Sequence, residues 1–377
     1  MAIILGIEST AHTFGIGIVK NGKILANIKD VYTTEKGGII PTESAKHHER
    51  VADGIYYRAL AEAGINEGEI DAIAFSQGPG LSPCLLVGLR KMKELAKRLK
   101  IPVIPVNHCI AHLEIGRITG AKNPVLLYVS GANTQIIAYE AGKYRIFGET
   151  LDLGVGNFID TFARYMGLGF PGGPKIEQIA KQSTNYIELP YTVKGMDIAL
   201  SGILTNLKQK IEKMNKSNGV TYPHHFPQSL HSLKAHDIKN NVNSKMISVI
   251  NNYKKSSERS ERAYTKEDLA FSMQETVFPM LVEVSERALA HIGKKELVLG
   301  GGVACNSRLQ EMCNIMCKER GCKCFIPPND LLTDNAAMIA YTGELMFKAG
   351  IKVKGKEIAK LDMLPRQRTD QVEVRWK

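Results

Sequence analysis

One pattern occurs twice in this chain, and it constrains the fold more than any other feature. Leu5 to Leu25 reads as an apolar strand, a Ser-Thr-Ala turn, a second apolar strand, an Asn21-Gly22 turn and a third strand. Leu126 to Ile146 repeats that order through a Ser130-Gly131-Ala132 turn, and both copies reach a Gly-Lys pair before the third strand. Asn-Gly is a strong type I′ hairpin signal. A turn of small residues between the first two strands leaves backbone N–H groups exposed, and such a nest can cradle a phosphate. Two copies facing each other would make a cleft.

Helices alternating with buried strands follow each hairpin set. The periodicity predicts a helix from Ser44 to Ala63, a strand from Asp71 to Ser76, a helix from Ser82 to Leu99, a strand from Pro102 to Val106, and then a helix carrying His108 and His112. Further on, helices begin near Asn157, Gly173 and Thr265, the last with Asp268 placed to complete a capping box. Pro279 falls inside that helix and is expected to kink it. A strand from Glu296 to Leu299 then runs through Gly300-Gly301-Gly302 into another helix. The alternation gives two α/β halves, with mixed sheets covered by helices and ligands held where loops at strand ends converge.

A chain of 377 residues that is 44% apolar and 23% charged has the composition of a globular protein with two domains. No apolar run approaches the ~18 residues needed to span a bilayer, so no membrane association is expected. The opening Met1 to Glu8 lacks the basic start and long apolar core of a secretory signal and reads as a first core strand. Seven Cys, an odd number, fit free thiols in a reducing compartment. The net charge of +11 invites a nucleic-acid partner, but eleven Lys/Arg against four Asp/Glu fall between Lys208 and Arg262. Asn, Ser, Lys and His dominate there, so residues 214–262 read as an inserted, basic, disordered loop whose His224, His225, His231 and His236 are solvated. The run from Arg90 to Lys100 is basic at helical spacing, either a solvated helix face or an RNA-facing one.

His108 and His112 stand four apart, hence on one helix face, a workable pair of ligands for a divalent metal that needs completing from elsewhere. Tyr128 lies in the strand that enters the second small-residue turn, and Asp334 stands at the start of the last long helix. A His-Glu-x-x-His zinc protease is excluded, because the position of its general base holds Cys109. Gly-rich stretches at 76–81, 129–134, 171–177 and 300–306 each put small residues where strand meets helix. None is a P-loop, and their recurrence in two similar halves argues for nucleotide handling. Cys305, Cys313, Cys317, Cys322 and Cys324 contain no Cys-x-x-Cys pair and read as structural or surface thiols.

Longer motifs carry a resemblance. They are Gly-Ile-Glu-Ser-Thr-Ala-His-Thr-Phe-Gly (6–15), Ser-Gln-Gly-Pro-Gly (76–80), Asn-His-Cys-Ile-Ala-His-Leu-Glu-Ile-Gly-Arg (107–117), Tyr-Val-Ser-Gly-Ala-Asn-Thr-Gln (128–135), Lys-Gly-Met-Asp-Ile-Ala-Leu-Ser-Gly (194–202), Gly-Gly-Val-Ala-Cys-Asn-Ser-Arg-Leu (301–309) and Arg-Thr-Asp-Gln-Val-Glu-Val-Arg-Trp (368–376). In this order they resemble the tRNA N6-threonylcarbamoyladenosine synthase catalytic subunits, formerly called O-sialoglycoprotein endopeptidases, of the archaeal and eukaryotic cytosolic type found in the KEOPS complex. The resemblance implies an actin/Hsp70/sugar-kinase-like (ASKHA) α/β fold of two duplicated domains around a central ligand cleft. The first domain would be 1–125, with about 337–377 packing back on it, and the second 126–336.

The resemblance implies a metal-dependent transferase that passes a threonylcarbamoyl group from threonylcarbamoyl-AMP to N6 of the adenosine 3′ of the anticodon, in tRNAs reading codons that begin with A. No covalent nucleophile is implied. His108, His112, Tyr128 and Asp334 would hold one iron or zinc ion. Tyr128, Val129, Ser130, Gly131, Ala132, Asp160, Gly173, Glu177 and Asn306 would hold the adenylate, threonylcarbamoyl-AMP or ATP. Implied partners are tRNA, a small atypical kinase/ATPase, a dimerising small subunit and a tRNA-binding accessory subunit, in the cytoplasm and, in a eukaryote, also the nucleus. Ala132 stands where the family usually has Gly, which would matter if that position needs positive φ. Competing readings are a nucleotide- and metal-binding scaffold without transfer activity, and a sugar-kinase-like phosphotransferase, for which no catalytic Asp base can be assigned.

Overall fold

The structure, a computed structural model, describes residues 2–34, 38–217 and 264–377. The duplicated pattern becomes two five-stranded sheets. The first contains β1 (Ile3–Glu8), β2 (Thr13–Lys20), β3 (Lys23–Val31), β4 (Ala72–Gly78) and β5 (Val103–Asn107), in the order β3-β2-β1-β4-β5. The second begins with β6 (Val125–Val129), β7 (Thr134–Glu140) and β8 (Lys143–Glu149). After a small hairpin of β9 (Val193–Lys194) and β10 (Asp197–Ile198), it is completed by β11 (Glu296–Gly300) and β12 (Lys323–Phe325), in the order β12-β11-β6-β7-β8. In each sheet the three consecutive strands pair antiparallel and the two later strands add in parallel. The β2–β3 turn has φ of 53° at Asn21 and 73° at Gly22, and the β7–β8 turn has 51° at Ala141 and 80° at Gly142. Both are therefore two-residue turns with positive φ throughout, the geometry that matches strand twist.

Helices α1 (Pro41–Ala63) and α2 (Ser82–Leu99) cross over between the parallel strands of the first sheet. Alternation along β1 sends Leu5 and Ile7 into the core beneath them, with Ile55, Tyr56 and Leu95, and sends Ile4 to the opposite face. That opposite face is covered by α3 (His108–Ile115), which follows β5, and by the last long helix, near the chain's end. The second sheet carries α4 (Val155–Tyr165), α5 (Gly173–Ala180), α6 (Ser201–Ser217), α7 (Lys266–Ile292) and α8 (Ser307–Glu319) around its own core, and α9 (Ala336–Lys348) is the helix that returns to the first sheet. Thr265 caps α7 reciprocally: its hydroxyl accepts the Asp268 N–H at 3.2 Å, and the Asp268 carboxylate accepts the Thr265 N–H at 3.0 Å. The helix runs through Pro279 without ending there.

Two packing details position the site. Gly6 lets α9 lie directly on β1, since a Cβ there would fall 2.4 Å from the Ala336 carbonyl oxygen. Helix α3 is wedged between the halves: Ala111 and Ile115 face the first sheet with α9, while Ile110 and Leu113 join Leu126 and Val298 of the second. The carboxylate of Glu114 on α3 is fully buried and receives the hydroxyl of Tyr144 on β8 and the Trp376 indole N–H at 3.3 Å.

Several expectations shift. Helix α1 begins at Pro41, three residues before Ser44, because proline's fixed φ suits the first helical turn. Gly300 to Gly302 lead first into a short 3₁₀ turn at Gly302–Cys305 and only then into α8. Much of the basic run on α2 is engaged within the fold: Lys91 is buried against Asp53 at 2.5 Å, Arg98 meets Glu67 at 2.8 Å and Lys93 donates to the Ala359 carbonyl at 3.0 Å. The 214–262 insert and its histidines fall, beyond Ser217, outside the described residues.

Candidate functional site

The metal-ligand candidates arrive from three directions. The Asn107 side chain caps α3 by accepting the Ile110 N–H at 3.1 Å, which starts the helix at His108 and puts His112 one turn above it. Asp334 lies in the loop before α9, whose start is set by Asn335 accepting the Met338 N–H at 2.9 Å. The candidate ligand atoms of His108, His112 and Asp334 all lie within 4.8 Å of one another. Asp334 Oδ1 is 3.3 Å from His108 Nε2 and 3.4 Å from His112 Nε2. Tyr128, at the end of β6, has its ring 4.9 Å from that of His112 and 6.4 Å from that of His108.

Burial opposes a charge on His108, yet the carboxylates of Glu8 and Asp334 raise its pKa well above the ordinary imidazole value. Burial lowers His112, with the neighbouring His108 adding to that effect. Burial also works against ionised Asp334, but the two histidines hold it well below the usual carboxylate range. Burial raises the Tyr128 phenol well above its usual value. Two imidazoles and a carboxylate converging on one point are a donor set for a borderline divalent cation such as zinc or iron.

The group opens onto a cavity of about 730 Å³ between the two halves. Ser130 closes the turn after β6: its N–H and hydroxyl both donate to the Asn133 carbonyl, at 2.9 and 3.0 Å. The start of α4 is tied to the same turn through Gly156 N–H to the Ser130 carbonyl at 3.0 Å and Asn157 N–H to the Gly131 carbonyl at 2.8 Å. Gly301, at φ 92°, approaches so closely that a Cβ would lie 2.4 Å from the Val129 carbonyl oxygen. Ala132 is not among the positive-φ residues, so its methyl group costs the turn nothing of the kind expected from the missing glycine.

Across the cavity, Asp160 on α4 accepts the Gly172 N–H at 2.8 Å, and burial raises its pKa. Glu177 on α5 accepts the Ser307 hydroxyl at 2.5 Å and Lys181 Nζ at 2.9 Å; although burial opposes ionisation, these bonds lower its pKa. Asn306 caps α8 by accepting the Arg308 and Leu309 N–H groups and donates to Gln274 at 2.8 Å.

Of the residues expected at an adenylate site, Tyr128, Ser130, Gly131, Ala132, Asp160, Gly173, Glu177 and Asn306 all line this one cavity; Val129 is fully buried and does not. His108 and Asp334 line it too, while His112 sits behind them. Sequence reasoning passed over Glu8, Thr10, His12 and Phe170, which reach the metal group or the cavity wall. A glutamate at the end of an apolar strand was the available signal for Glu8.

Comparison with known proteins matches residues 23–341 to the model of the TsaD family, described as tRNA N6-adenosine threonylcarbamoyltransferase. The chain belongs to this family. It is 50% identical over 374 residues to the tRNA N6-adenosine threonylcarbamoyltransferase of Thermococcus sibiricus, covering 99% of this chain and 100% of that one. It is also 45% identical over 377 residues to a probable bifunctional tRNA threonylcarbamoyladenosine biosynthesis protein of Methanosarcina mazei, covering 99% of this chain and 59% of that one. In fold it resembles full-length HypF in its phosphate- and nucleotide-bound form, with a TM-score of 0.55 at 12% identity over 92% of this chain and 46% of that one. The family member has the two-domain ASKHA-type α/β fold that its motifs implied. Among its described residues, no helix is long and apolar enough to cross a membrane.

Proposed function

We propose that this family member transfers the threonylcarbamoyl group of threonylcarbamoyl-AMP to N6 of the adenosine 3′ of the anticodon, in tRNAs reading codons that begin with A. The observation that carries this reading is the convergence of His108, His112 and Asp334 at the edge of a nucleotide-sized cavity, in a chain of this family. The donor is a mixed anhydride and already activated. In the transfer, the bond from N6 to the carbamoyl carbon forms, the bond from that carbon to the phosphate oxygen breaks, N6 loses a proton and AMP departs. Positioning therefore does most of the work, and a covalent nucleophile is unnecessary.

His108, His112 and Asp334, with Tyr128 beside them, would hold one iron or zinc ion. Such an ion supplies Lewis-acid polarisation of a donor oxygen when bound. In the turn after β6, the N–H groups of Gly131 and Ala132 would meet a phosphate, while those at the start of α4 hold the turn in place. Asp160 and Glu177 offer carboxylate oxygens to ribose hydroxyls, and Gly173, without a side chain, leaves room for the nucleoside. A base in a flexible or single-stranded segment can be presented to such a cavity without melting a helix, and an anticodon loop provides one. A small atypical kinase/ATPase, a dimerising small subunit and a tRNA-binding accessory subunit complete the working assembly in this reading.

The test is transfer of labelled threonine to such a tRNA from separately supplied threonylcarbamoyl-AMP, with and without those partners. Asp334→Ala should abolish both ion retention and product, a larger loss than the about 10- to 100-fold that removing a partner of a ligand costs. Labelled nucleoside formed at the normal rate by ion-free Asp334→Ala would sink the metal role. No product from the wild-type chain with all partners, despite bound nucleotide, would favour a binding scaffold.

A further inference from the structure

Glu8 ends β1 with no solvent exposure, paired in register with Gly15 of β2. A carboxylate buried at the end of an apolar strand costs several kcal/mol unless donors surround it. Here three do. One oxygen accepts the Thr10 N–H at 2.7 Å and the Thr10 hydroxyl at 2.5 Å, and the other accepts Nδ1–H of His108 at 3.0 Å. We propose that Glu8 is the positioning residue of the metal centre: its carboxylate holds the proton of His108 on Nδ1 and so presents Nε2, the nitrogen facing Asp334, as the ligand atom.

The argument is one of hydrogen-bond inventory. A carboxylate only accepts, so the bond it forms with a neutral imidazole decides which nitrogen keeps the hydrogen and which keeps the lone pair. The two bonds from Thr10 hold the Glu8 carboxylate in place, and the Thr10 hydroxyl, 3.4 Å from His108 Nδ1, gives its own hydrogen to Glu8 and so can only accept from that nitrogen as well. His112 has no such clamp, because its Nδ1 is buried without a hydrogen-bond partner and its ring is oriented by contact with Tyr128. The two histidines are therefore unequal: His108 is the preorganised ligand, and His112 completes the site from the helix. Since β1 belongs to the first sheet and Asp334 follows the second, Glu8 also registers the ligand set against the half that does not supply the carboxylate.

This inference rests on the metal reading above, and the tests separate the two. Glu8→Gln is diagnostic, because a primary amide cannot accept from Thr10 on one side and from His108 on the other. Either its NH₂ faces Thr10 and loses those bonds, or it faces Nδ1 and drives the hydrogen to Nε2. Zinc affinity of the full chain, measured by competition with a chromophoric chelator, should fall about 10- to 100-fold in Glu8→Gln, the usual effect of removing such a partner. The thermal midpoint of the ion-free variant gauges folding independently. ¹⁵N NMR of the zinc-loaded wild-type chain should show His108 coordinated through Nε2 and protonated on Nδ1, which decides the matter even if the variant does not fold. Coordination through Nδ1, or unchanged affinity in a folded Glu8→Gln whose Asp334→Ala counterpart has lost zinc, overturns the role of Glu8 alone. A wild-type chain that binds no zinc or iron overturns the metal reading and this inference with it.

Discussion

His48 on α1 is fully buried, with Nε2 donating to the Ala11 carbonyl at 3.1 Å and Nδ1 without a partner. Burial, aided by neighbouring His47, pushes its pKa down from 6.5 to about 4. The sign follows from linkage: the folded state resists protonation, so the contribution is complete above pH 6.5 and is lost as pH falls towards 4. Its full size is about 3 kcal/mol at most. We expect urea midpoints to drop between pH 7.5 and pH 5 more steeply in the wild type than in His48→Gln, which keeps a donor for Ala11 and has nothing to titrate. Parallel slopes would show that His48 is not the group responsible. At this scale the sequence was informative wherever a residue type is rare in its setting. The His108/His112 spacing was legible because helical periodicity is local. That Asp334 joins them from 222 positions away depends on how two sheets meet, which no local rule contains.

Element boundaries were set by short-range signals and were largely legible. Helix α2 spans Ser82–Leu99 as read, and Thr265 with Asp268 starts α7 as read. What local signals could not convey is how closely elements approach. Gly6 reads as an ordinary small residue in a strand, yet α9 rests on its Cα, and a Cβ would lie 2.4 to 2.9 Å from Ala336 and Ala340 atoms. Gly6→Ala should therefore push α9 away, costing about 1–3 kcal/mol as other overpacked cores do. Because the loop carrying Asp334 leads directly into α9, zinc affinity should fall with stability. Chelator competition and denaturant titration on the same preparation check this, and a destabilised variant with unchanged zinc affinity would uncouple the helix from the site. The basic run on α2 teaches a related lesson. Its charge pattern is compatible with an RNA face, but Asp53 and Glu67 come from other parts of the chain to engage Lys91 and Arg98.

The two sheets repeat one topology, and the cavity lies where the ends of their first hairpins face each other. Tyr264, just before α7, donates to the Lys210 carbonyl of α6 at 3.0 Å, which ties the chain on one side of residues 218–263 to the chain on the other. A short Gly-Ser linker in place of 218–263 should leave ion binding unchanged and move the thermal midpoint by no more than about 5 °C, because loop-closure entropy changes by only about 0.6 kcal/mol per doubling of length. The segment carries seven Lys/Arg against three Asp/Glu, so tRNA affinity should fall and its salt dependence become shallower. Lost ion binding in the replaced chain would mean that the segment supports the centre directly. By itself the sequence determined the duplication, the alternation of strands and helices, the histidine pair and the family, since each is written in neighbouring residues or in motifs. Tertiary structure alone decided that Glu8 orients His108, that Val129 is core rather than cavity wall, and that Ala132 fits its turn. Hydrogen-bond partners, burial and φ are settled by segments that meet only once the two sheets have closed around α3.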